Sequence, residues 1–114
     1  MAFKLQLGHN SGRSGRVYAI IFDLDTSKLK DHYHASHTNA YGDIRKYLTS
    51  RGFTWVEGSG YFGDETVNAV RCVRIVQRMS KKFQWFLPSV RDIRMLRIEE
   101  NNDLRLALDD DDDD

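Results

Sequence analysis

Asp23 is the residue best placed for chemistry, because it nearly closes the apolar run Val-Tyr-Ala-Ile-Ile-Phe-Asp-Leu at residues 17–24. On a strand of period two it shares a face with Val17, Ala19 and Ile21. A carboxylate bordering buried surface loses water or meets a like charge, and its pKa rises. If two copies of the chain share that face, a two-fold axis brings both Asp23 side chains together. Such a pair holds a proton between them, or a divalent cation such as Mg2+ through oxygen ligands, which makes Asp23 the candidate metal ligand as well. Either arrangement suits attack on a phosphodiester, with a cation activating water or an acid–base pair assisting a 2′-hydroxyl. The competing reading is that Asp23 caps the following turn through an Asx hydrogen bond, and the strand alone does not choose between them.

Other side chains fall into patterns of lower information. Arg71, Arg74, Arg78 and Lys81 recur at i, i+3, i+7 and i+10, a basic stripe with no acid in the helix body to offset it. It is either a solvated face or a surface that tracks phosphates. Trp55, Tyr61 and Trp85 could stack unpaired bases, although core packing is the commoner fate of such rings. His32, His34 and His37 lack the i, i+4 spacing of a helical zinc pair, and no cysteine cluster completes a site, so they read as a polar loop. Asp25 reads as solvated. Cys72, the single cysteine, excludes an internal disulfide and reads as a core residue. Phosphate-cradling glycine loops and serine nucleophile elbows are absent.

The elements that must position these residues follow from periodicity. A strand at residues 16–24 is almost wholly apolar and so expects cover on both faces. Residues 25–35 read as a loop or one irregular turn. A helix over 38–51 has Tyr41, Ile44 and Leu48 on one stripe, Ser36 or Thr38 at its start and Gly52 at its end. Residues 53–56 and 61–62 form a hairpin around Glu57-Gly58-Ser59-Gly60. A second helix over 64–81 presents Ala69, Cys72, Val73, Val76 and Met79, with Asp64 as its cap, and a last strand covers 92–99. The order strand, helix, strand, strand, helix, strand predicts an α+β, ferredoxin-like domain. Its antiparallel sheet has four strands and carries both helices on one face. The bare face then exposes large apolar groups, which predicts a sheet-to-sheet homodimer.

Length and charge set the frame. The chain of 114 residues suits one domain. Residues 1–15 read as a flexible extension, 16–100 as the folded body and 101–114 as a C-terminal segment ending in six aspartates. Net charge is formally zero, but six of the 17 acids lie in that aspartate run, which leaves the rest of the chain at +6. A basic body permits nucleic-acid binding without demanding it. No run approaches a membrane span, and the first sixteen residues lack the apolar core of a secretory signal, so a cytoplasmic location is expected.

Four stretches resemble the virulence-associated protein D family: residues 17–24, residues 39–45 (Asn-Ala-Tyr-Gly-Asp-Ile-Arg), residues 52–59 (Gly-Phe-Thr-Trp-Val-Glu-Gly-Ser) and residues 85–94 (Trp-Phe-Leu-Pro-Ser-Val-Arg-Asp-Ile-Arg). The last is the most specific. The resemblance implies a ferredoxin-like dimer related to the CRISPR-associated protein 2 fold. It implies a toxin of a toxin–antitoxin pair that cleaves single-stranded or messenger RNA and is neutralised by a cognate antitoxin protein. It also carries the family's active-site aspartate onto Asp23, and substrate contact onto Ser59 and Tyr61. Gly60 and Glu57 depart from the family pattern, where a bulkier residue and a neutral amide are usual. Fold alone leaves open a non-catalytic nucleic-acid-binding or assembly module, since function belongs to the site.

Overall fold

The computed structural model describes residues 17–33 and 35–108, so the N-terminal extension, His34 and the terminal aspartates lie outside it. The elements are β1 (Val17–Leu24), α1 (Thr26–His32), α2 (His37–Thr49), β2 (Phe53–Glu57), β3 (Gly60–Gly63), α3 (Ala69–Lys82), α4 (Phe86–Ser89), β4 (Val90–Ile98) and α5 (Arg105–Leu108). The four strands form one antiparallel sheet in the order β2-β3-β1-β4. This is the expected ferredoxin-like order, with α2 and α3 as the two long helices.

Alternation along β1 divides the sheet into two faces. Ile20, Phe22 and Leu24 enter the core with Ile44 and Leu48 of α2, Phe53 of β2, Tyr61 of β3, and Cys72, Ile75 and Met79 of α3. Asp23 and Ile21 therefore point away from the helices. Phe22 lies between two near-parallel rings, Tyr41 with centroids 6.5 Å apart and Tyr61 at 6.2 Å, while Phe86 meets it edge-on. Burial raises the pKa of the Cys72 thiol, as suits an inert core residue.

Two helices differ from the sequence-based expectation. Residues 26–32, read as a loop, form α1. Asp25 caps it by accepting from the Lys28 N–H at 3.1 Å, and its single buried anchor is Leu29. The second long helix starts at Ala69 rather than residue 64, because Asn68 caps it through the Arg71 N–H at 2.8 Å. Asp64 is spent on a local turn, accepting from the backbone N–H and hydroxyl of Thr66. The inward face of α3 is accordingly Cys72, Ile75 and Met79, and Val73 is exposed. Gly52, with φ +100, ends α2 in the left-handed conformation that favours glycine. Gly63 lies so close to Val67 that an added Cβ would sit 2.8 Å from the valine Cβ, which fixes the approach to α3.

The helix-free face is less apolar than expected. Ile21 and Leu96 are exposed there, at 47% and 44%, but Val17 and Ala19 are already buried within one chain. Asp92 and Arg94 of β4 share the face, opposite Asp23 and Ile21.

Candidate active site

Asp23 sits where three connections converge. β1 ends one residue later. The Asp25 N–H donates to the Ser89 carbonyl at 2.8 Å, joining the start of α1 to α4. The hairpin turn reaches β1 through the Ser59 carbonyl, which accepts from the Phe22 N–H at 3.2 Å. Ser59 and Asp23 are thus brought within one residue of each other along the ladder.

The antiparallel register supplies a second carboxylate. Asp92 pairs directly with Asp23, and a bulge follows, because the next pair is Leu24 with Val90. Arg91 is the extra residue. Its guanidinium reaches Asp23 at 3.3 Å and Asp25 at 3.5 Å, while Arg94 donates to Asp92 at 3.0 Å. Three carboxylates and two guanidiniums are therefore paired about this strand end, with Asp23 and Asp92 on the helix-free face. The Lys28 backbone N–H, aided by Ser27 and Arg91, holds the Asp25 carboxyl below its ordinary value against a smaller desolvation effect. Tyr41 of α2 approaches the same strand end. Its pKa is raised first by burial and then by the negative charge of Asp23.

Two expectations are corrected here. Asp23 does not border buried surface in the single chain, since its side chain is 58% exposed and paired with Arg91. Tyr61 does not offer its ring to an unpaired base. It is 2% exposed and stacked on Phe22, and it engages Arg45, whose guanidinium also lies 3.7 Å from the Trp55 ring centroid. The Trp55 indole N–H in turn donates to the Gly58 carbonyl at 2.9 Å. Tyr61 and Trp55 therefore hold the hairpin in place. Trp85 packs on Tyr33 and Phe83. Arg71, Arg74 and Arg78 lie on the outer side of α3, across the sheet and helix layers from Asp23.

A divalent cation does not fit one chain as it stands. Among the described residues no three His, Cys, Asp or Glu side chains gather as a ligand set, and the Asp23 carboxylate is engaged by an arginine. Asp92 is a candidate that sequence alone does not offer, because a single strand does not reveal its register with a distant one. Its signal is the motif Arg-Asp-Ile-Arg itself.

No family model matches the chain. Curated relatives do. The chain is 50% identical over 93 residues to Endoribonuclease VapD 2 of Riemerella anatipestifer, covering 81% of this chain and 99% of the relative. It is 50% identical over 92 residues to an Endoribonuclease VapD homolog of Helicobacter pylori, covering 81% and 96%. A third, Endoribonuclease VapD of Dichelobacter nodosus, is 40% identical over 87 residues, covering 76% and 91%. The chain belongs to the VapD family of endoribonucleases. The match takes in nearly the full length of these VapD relatives, and the expected family is thereby established. No helix among the described residues is long and apolar enough to cross a membrane.

Proposed function

We propose that this VapD-family chain is a toxin-type endoribonuclease, cleaving single-stranded or messenger RNA in the cytoplasm and neutralised by a cognate antitoxin protein. The cleavage centre is Asp23 with Asp92, flanked by Arg91 and Arg94. The observation that carries this reading is the in-register pairing of Asp23 with Asp92 beside two arginines, on a face that a flexible strand could reach.

Acid–base attack needs only groups of this kind. The 2′-oxygen bonds to phosphorus as its proton passes to a carboxylate. The bond to the 5′-oxygen breaks, and that oxygen takes a proton from a second acid. The products are a 2′,3′-cyclic phosphate and a 5′-hydroxyl. Arg91 and Arg94 are positioned to neutralise charge growing on the phosphoryl oxygens. Asp23 and Asp92 divide the roles of base and acid, and a homodimer, favoured by exposed Ile21 and Leu96 on the helix-free face, brings a second copy of each across a two-fold axis. The same pairing is what would assemble oxygen ligands for Mg2+, since one chain offers too few. Ser59, beside Asp23, contacts the substrate.

The test is cleavage of a labelled single-stranded RNA by the protein and by Asp23→Asn, each with Mg2+ and with a chelator. Loss of cutting in the variant with RNA binding kept supports the centre. Undiminished cutting by Asp23→Asn removes it, and binding with no cutting by either protein favours a non-catalytic RNA-binding module.

A further inference from the structure

We propose that the cleft between α2 and α3 is a second RNA site, gripping the backbone of single-stranded RNA at a distance from the cleavage centre. The proposal rests on the endoribonuclease reading for its choice of ligand, but on separate residues. One hollow of about 360 Å³ is walled by Arg51, at the end of α2, and by Arg71, Arg74 and Arg78 of α3. A second, of about 280 Å³, continues from Arg51 to Lys46, Lys82 and Phe83. Arg51 is common to both and is held in place. It donates to the Ser50 hydroxyl at 2.9 Å and lies 4.4 Å above the Tyr47 ring.

Among the described residues the basic groups of this cleft outnumber its acids. Among the described residues no carboxylate pairs with Arg51, Arg71, Arg74 or Arg78, and α3 contains no acid. Among the described residues the one carboxylate in the walls is Asp43, which accepts from the Tyr33 hydroxyl at 2.8 Å and lines only the second hollow. Four guanidiniums held near one another repel, and an anionic ligand relieves that cost. Arg71, Arg74 and Arg78 step along the axis by roughly 4.5 and 6 Å at helical rise, so their long side chains can address successive phosphates of one strand. Phe83 is half-buried at the cleft's end, where it stacks on Trp85 and meets Tyr47 edge-on. Spaced cations tracking a backbone with aromatic rings nearby are the means by which proteins hold single strands without reading sequence.

Arg71, Arg74 and Arg78 are therefore not part of the cutting centre, which lies on the other face of the sheet. A long RNA contacts both, whereas a dinucleotide reaches only one.

The experiment compares the full chain with the double variant Arg51→Gln, Arg74→Gln. Binding of a 20-nucleotide 2′-O-methyl RNA is read by fluorescence anisotropy across a salt series, and cleavage is read on a dinucleotide. The variant should bind the long RNA about tenfold more weakly at low salt, and its slope of log affinity against log salt should fall by about 1.4, the loss of two phosphate contacts. Dinucleotide cleavage should stay within twofold. Arg51→Lys with Arg74→Lys should restore the slope, which separates lost charge from a damaged fold. An unchanged slope, or an equal loss on the dinucleotide, overturns the second site. So does a hexa-aspartate peptide that outcompetes the RNA, which would assign the cleft to an acidic protein segment. Failure of the unaltered protein to cut any RNA would instead defeat the nuclease reading, and the anisotropy would still report on the cleft.

Discussion

Asp23 and Asp92 stand directly opposite each other across antiparallel β1 and β4, two carboxylates of which the first pairs with Arg91 and the second with Arg94, both from β4. Directly opposed like charges destabilise a sheet, by about 0.2–1 kcal/mol before screening. A chain that retains such a pair at an exposed strand end gives up a little stability for proximity of two acids. Asp92→Asn should therefore leave unfolding stability unchanged or slightly higher, by less than about 1 kcal/mol. Cleavage should fall by about 10²–10⁴, the usual contribution of a positioned acid or base. Thermal unfolding and single-turnover cleavage on the same preparation check both halves. A variant that cuts RNA normally would dismiss Asp92 from the centre.

Arg91 bridges Asp23 and Asp25 from the bulge, so its removal frees two acids at once. Arg91→Ala should cost less than about 1 kcal/mol of stability, because both pairs are solvent-exposed. Its cleavage rate should drop at least tenfold, and Arg91→Lys should recover part of it, since a point charge replaces a fork. Rates of the three proteins on one RNA decide the matter. Equal rates would show that the guanidinium is only structural.

Acid sensitivity should follow Asp25. Its pKa is depressed on folding, chiefly by the Lys28 backbone N–H, so its contribution to stability is present above the ordinary aspartate value of 3.8 and is lost as pH falls through its lower folded value. Asp25→Asn should flatten the fall in stability below about pH 4 and leave the neutral-pH fold intact. Denaturant unfolding from pH 6 down to pH 2.5 measures this. At the other extreme Tyr33, Tyr41 and Tyr61 are each raised by burial, so they resist ionisation. Their contribution is complete below pH 10 and wanes as pH climbs through the folded values. Tyrosinate absorbance should appear late and together with alkaline unfolding.

Leu29 is the sole buried residue of α1. Leu29→Ala should destabilise the protein by about 2–5 kcal/mol and loosen the helix that Asp25 caps. Hydrogen exchange at residues 26–33 should rise more than exchange in α3. Uniform loss of protection would mean that α1 is not separable from the core.

α1 shows where the sequence stopped being legible. With one apolar anchor among polar neighbours, residues 26–32 carry no periodicity, and only the Asp25 cap betrays the helix. The strands, the hairpin and α2 were readable because apolar alternation, paired glycines and a stripe of Tyr41, Ile44 and Leu48 each specify one local outcome. For α3 two capping residues competed. Asp64 lost to Asn68 because Thr66 claims its carboxylate, and the inward face turned from Val73 to Ile75. At the site, Asp23 was legible as a lone polar group on an apolar strand. Asp92 was not, since register is a property of two strands together. For Tyr61 the sequence left base stacking and core packing open, and packing prevails because Phe22 and Arg45 arrive from other elements and enclose the ring.

The Ser59 carbonyl fastens the hairpin tip to β1 one residue before Asp23. In the proposed centre, recognition at the turn and cutting at the strand end are thereby tied through one backbone hydrogen bond, so a shift of the loop is transmitted to the strand that carries the acid.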